Sequence, residues 1–85
     1  MSHPSAPHCQ EAKAALKKAV EHRKYRLKIL LEAEEKLKKL KAEKPPNPAA
    51  IAAQEGEVEK DRKLWEEAKE KEADCADAVD QFCNP

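Results

Sequence analysis

Lys44-Pro45-Pro46-Asn47-Pro48 interrupts a chain that otherwise favours helix from about residue 10 to residue 83. Each proline lacks a backbone donor and pushes the residue before it out of the α region, so no helix runs through this stretch. Asn47-Pro48 is also a start signal, with a side-chain acceptor at the N-cap and a preset φ at the first helical position. The chain therefore reads as all-α: an antiparallel two-helix coiled-coil hairpin. Residues 1–9 are expected to form a flexible lead, 10–44 the first helix, 45–48 the corner and 48–83 the second helix, with 10–83 a single domain.

Composition agrees with this reading. Of the 85 residues 40% are charged and only one is Gly, the balance of a coiled coil or long helical hairpin. A net charge of zero hides an asymmetry: residues 1–47 hold 12 Lys/Arg and 6 Asp/Glu, and residues 48–85 hold 5 and 11. A basic helix folded on an acidic one is self-complementary. No run approaches the roughly 20 apolar residues that span a bilayer, and none forms the apolar core of a signal peptide. A cytoplasmic chain is expected, and three cysteines, an odd number, speak against a disulfide framework.

On the first helix the best apolar seam is Leu16, Val20, Arg23, Leu27, Leu30, Glu34, Leu37 and Lys41, in alternating steps of four and three. The second helix carries Ile51, Gln54, Val58, Asp61, Trp65, Ala68, Glu72, Cys75, Val79 and Phe82 in the same rhythm. Facing residues of an antiparallel pair have a constant sum of numbers, and 95 matches Leu16 with Val79, Arg23 with Glu72, Leu27 with Ala68, Leu30 with Trp65 and Leu37 with Val58. Leu16, Leu27, Leu30, Leu37, Val58, Trp65 and Val79 are the expected core anchors. Glu34 against Asp61 is the one like-charge layer. Gly56 falls opposite the seam and reads as a tolerated surface glycine.

One side of each seam is small and apolar: Ala12, Ala19, Ala33 and Leu40 on the first helix, Ala50, Leu64 and Ala78 on the second. The other side holds mainly Lys17, Lys24, Lys38, Glu55, Arg62 and Lys69. A two-helix hairpin cannot cover both a seam and an apolar flank, and its own core is small. The flank is therefore expected to dock a second copy, with a dimeric four-helix bundle favoured, or another helical protein.

Sites for chemistry are scarce. His3, His8, Cys9, Cys75 and Cys83 gather near one end of the hairpin but show no paired metal-ligand spacing, so no metal or cofactor is expected. A Cys9–Cys83 disulfide is conceivable, three residues out of the 95 register, yet free thiols are expected in a reducing cytosol. Cys75 falls in the seam as an inert core thiol. Catalysis by Cys9 with His8 lacks a third group and a pocket, so no enzyme is expected; His22 reads as a solvated helix residue. With three aromatic residues and no net charge, nucleic acid is not an expected partner. Lys36, Lys38, Lys39, Lys41 and Lys44 cluster at the tip, where they could meet anionic lipid or stand as a solvated face paired with Glu55, Glu57 and Glu59.

The run Leu37-Lys38-Lys39-Leu40-Lys41-Ala42-Glu43-Lys44-Pro45, followed by Ile51, Val58, Trp65 and Phe82, resembles the second-to-third helix hairpin of sorting-nexin BAR domains. The resemblance covers residues 10–83. It implies a curved helical homodimer, peripheral to endosomal membranes, that binds or senses their curvature. The sequence departs from that pattern in its short, even arms and in lacking a preceding phosphoinositide-binding domain and one full BAR helix. A designed helical hairpin is the other resemblance, although the irregular cysteines, histidines and Gly56 are less idealised than designs are.

Overall fold

The structure, a computed structural model, describes residues 6–84. Two helices fill it: α1 spans Ala6–Ala42 and α2 spans Pro48–Cys83. They fold back on each other as an all-α hairpin, a rod whose backbone measures 71 × 13 × 13 Å. Residues 1–5 of the expected lead lie outside the described residues, and residues 6–9 belong to α1. Helix can begin there because Pro7 sits in the first turn, where a missing N–H costs nothing. At its other end α1 stops at Ala42, two residues before the sequence reading placed its end, because Pro45 excludes Lys44 from the α region.

The corner is Glu43–Asn47, with a cis peptide between Lys44 and Pro45. Asn47 caps α2 as its sequence indicates. Its backbone is extended and its Oδ1 accepts from the N–H groups of Ala49 and Ala50 at 3.1 and 3.2 Å. At the far end of α2 the Asn84 N–H returns to the Asp80 carbonyl at 3.0 Å.

The helices meet along a seam that differs from the expected one on α1. Buried and half-buried positions there are Cys9, Ala12, Leu16, Ala19, Arg23, Arg26, Leu30, Ala33, Leu37 and Leu40, an unbroken alternation of threes and fours. Val20 and Leu27 are half-buried beside this line, and Glu34 and Lys41 are exposed. On α2 the seam is the expected one from Ile51 to Val79, with Gln54, Val58 and Ala68 most buried, but at its end Phe82 is exposed and Cys83 takes the half-buried position.

The register moves with it. Cys9 and Cys83 lie opposite each other, their Cα atoms 5.0 Å apart. The Gln54 side-chain amide donates to the Ala33 carbonyl at 2.9 Å. The disulfide pair sums to 92, and matching the buried line of one helix to that of the other gives 91, not 95: Ala12 level with Val79, Ala33 with Val58, Leu37 with Gln54, whose side chain reaches one turn along α1 to the Ala33 carbonyl. A corner centred on Pro45 imposes this shift of about one helical turn. Glu34 and Asp61 then do not share a layer. Glu34 turns out to Arg62, 3.9 Å away. The Arg23–Glu72 ion pair, Nε to Oε2 at 2.6 Å, persists because each side chain leans toward its own helix N-terminus and spans one turn, though the Nε–H is not aligned with the oxygen.

Candidate interaction site

Alanine positions explain the geometry of the rod's faces. Ala12, Ala19 and Ala33, expected on an open flank, are buried between the helices, and Leu40 is half-buried in the same line. Small side chains let the helix backbones approach closely, so the alanines belong to the seam, and leucines at those positions would hold the helices apart. The core they make is thin. Leu30, Ala33 and Val58 form its buried centre, with Leu37 and Trp65 packed against it. No large side chain among the described residues is completely buried.

The remaining flank is a groove of about 500 Å³ along one side of the hairpin. Ala19 and Ala68 come from the seam, Ala15 and Leu64 stand on the two helices, and Lys18, His22, Arg26 and Lys71 give it a basic border opposed by Glu67. Ala50 and Ala78 continue the α2 side of this flank, half-buried like Leu64. On α1 the groove is bordered by Ala15 and His22, and half-buried Ile29, seven residues beyond His22, continues the same helical line past the groove. Sequence reasoning missed Ala15 and Ile29 because it assigned the flank to the seam alanines.

A second, shallower hollow of about 690 Å³ lies on the outer surface of α1 around Leu27 and Leu31. Leu31 is 56% exposed, flanked by Lys24, Lys28 and Lys39 and by Glu32 and Glu35. Leu27, expected as a core anchor, is therefore shared between the seam's edge and this outer strip. Of the other anchors, Leu30 and Val58 are buried, and Leu16, Leu37, Trp65 and Val79 are half-buried. The strip runs into Lys36, Lys38, Lys39, Lys41 and Lys44, all exposed.

The middle of the rod is its least satisfied layer. Arg26 and Trp65 are level in the register, and the Nε–H of the one and the Nε1–H of the other are buried without an acceptor among the described residues. Each such donor costs about 1–3 kcal/mol. Lys69 lies over the Trp65 ring, 4.2 Å from its centroid, which partly offsets that cost.

At the open end Cys9 and Cys83 are joined as a disulfide, with the His8 and Phe82 rings packed edge-to-face at 5.7 Å beside it. This corrects the expectation of free thiols. Cys9 lies on the seam level with Cys83, so the three-residue offset of the expected register disappears. Cys75 is free and half-buried, and it lines the groove. Among the described residues no group of His, Cys, Asp and Glu could hold a metal ion, and no helix is long and apolar enough to cross a membrane. Comparison with protein-family models, with curated proteins and with solved structures finds no match.

Proposed function

We propose that this chain is a non-enzymatic helical interaction module that self-associates through the groove flank into a four-helix bundle. The observation that carries the reading is surface area. A folded monomer of 9.6 kDa is expected to expose about 5,100 Å². The chain exposes 6386 Å², and among the described residues no large side chain is fully buried. Covering one long face removes an excess of that order, and the groove face is where apolar Leu64, Ile29 and the flank alanines stand half-open. Light scattering coupled to size exclusion tests it. The chain should run at twice its mass, and Leu64→Lys with Ile29→Lys should return it to a monomer that keeps its helicity. A wild-type chain that stays monomeric at high concentration refutes the proposal.

A second reading is favoured by the outer strip of α1. Leu31 and Leu27 stand among Lys24, Lys28, Lys36 and Lys39, with Glu32 and Glu35 between them, and the strip continues into the tip lysines, an apolar and predominantly basic stripe of the kind that lies on anionic headgroups, as the BAR-like resemblance implies. Co-sedimentation with anionic liposomes, lost with Leu31→Glu or on changing the tip lysines to Glu, supports it. Recovery of all protein in the supernatant excludes it.

A further inference from the structure

We infer that the occupant of the groove face is a second copy of this chain, related by a two-fold axis parallel to the rod, so that α1 of each copy packs on α2 of the other with both proline corners at the same end. The inference rests on the self-association proposed above and adds its geometry.

Only two two-fold axes can lie in the plane of a flat face on a two-helix rod. An axis across the rod sets α1 against α1 and α2 against α2, with the corners at opposite ends. An axis along the rod sets α1 against α2 and preserves height, so a residue meets the same level of the partner that it meets within its own hairpin. Charge separates the two arrangements. Helix α1 carries 11 Lys/Arg and 5 Asp/Glu, and α2 carries 5 and 11. The crosswise axis therefore presses like-charged helices together, whereas the lengthwise axis surrounds each helix with oppositely charged neighbours.

The detail along the groove's edges agrees. In the observed register Lys18, on the groove's border, is level with Asp74, and Glu32, which also lines the outer hollow of α1, is level with Lys60, two opposite-charge pairs of opposite sense. All four side chains are exposed, and none is paired within the hairpin. Just inside them Ile29 with Leu64 and Ala15 with Ala78 each sum to 93, within two residues of the observed register, so apolar layers also nearly coincide across a lengthwise axis. His22 with Lys71 is the one layer without such a match, and Glu67 lines the groove beside it. A face as long as the paired helices, about 55 Å, and 13 Å wide offers about 700 Å² per copy, or about 1,400 Å² in all, within the roughly 1,200–2,000 Å² of a stable interface.

Spin labels attached through Lys44→Cys, with Cys75→Ser and the native disulfide intact, read the corner-to-corner distance by pulsed electron resonance. The lengthwise axis predicts about 15–30 Å. The crosswise axis predicts about 50 Å or more, the length of a helix. Independently, Lys18→Glu should raise the dimer dissociation constant by about five- to thirtyfold, because two pairs are lost at once, and adding Asp74→Lys should recover most of that loss. A monomer on light scattering overturns both this inference and the self-association beneath it. A dimer with a long label distance overturns only the axis, and a short distance without charge-swap rescue overturns the pairing of levels that selects it.

Discussion

Opening the Cys9–Cys83 bond should remove a large share of the stability of this hairpin. The bond closes a loop with a sequence separation of 74 residues. In the chain-entropy account the unfolded state loses about 2.1 + 1.5R ln n cal/mol/K on closing such a loop, which gives about 4.5 kcal/mol at 25 °C. Total stability for 85 residues is expected at about 4–13 kcal/mol, so the bond supplies a third of it or more. With an unfolding entropy near 2.1 cal/mol/K per residue, the melting temperature should fall by about 25 °C. The assay is thermal unfolding by far-UV circular dichroism at one fixed protein concentration, so that self-association does not confound the comparison. Wild type with and without reductant is compared with Cys9→Ser/Cys83→Ser, and the reduced protein and the variant should coincide. A fall below about 5 °C, in protein shown to contain the bond beforehand, refutes the reasoning. The register can be checked in the same background. Ala12→Cys with Val79→Cys should form a new bond and restore most of the loss, since those positions are level in the observed register. If the two new thiols stay reduced while Leu16→Cys with Val79→Cys pair readily, the 95 register is the correct one.

Three further outcomes follow from the packing. Ala33→Leu should destabilise the hairpin by about 1–3 kcal/mol in urea titrations, because the site is buried against Leu30 and Val58; an open flank would instead have tolerated the larger side chain. Arg26→Leu should stabilise by about 1 kcal/mol, since it removes a buried donor that has no acceptor, and a loss of stability would show that the guanidinium is satisfied. Gly56→Ala should add about 0.5–1 kcal/mol to the midpoint stability, as a Cβ there meets nothing within 4 Å and a mid-helix glycine costs about that much relative to alanine.

The corner, the Asn47 cap and the α2 seam from Ile51 to Val79 were legible from residue types, because prolines and apolar spacing act locally; only Phe82, which is exposed, was misplaced. The α1 seam was legible only by half. Leu16, Arg23, Leu30 and Leu37 were found, but Val20 and Leu27 were preferred to Ala19 and Arg26 because a seam ranked by hydrophobicity discards small and charged residues. Close helix approach reverses that ranking: an alanine fits where a valine obstructs, and an arginine can lie in the seam with its head at the edge. Counting threes and fours from Cys9 reaches every observed seam position, so the signal was present in a residue set aside as a free thiol. The groove suffered from the same choice. Once the alanines move inward, the open flank passes to Ala15 and Ile29, which no hydrophobic pattern on α1 had marked.

The disulfide has a mechanical consequence as well. Load applied through the residues outside Cys9 and Cys83 passes directly from one sulfur to the other, so the rod between them carries no tension and cannot be unzipped from its open end. Reduction would release that hidden length, about 250 Å of fully extended chain for a separation of 74 residues. Pulled from these two points, the oxidised chain is a short inextensible link and the reduced chain a long compliant tether.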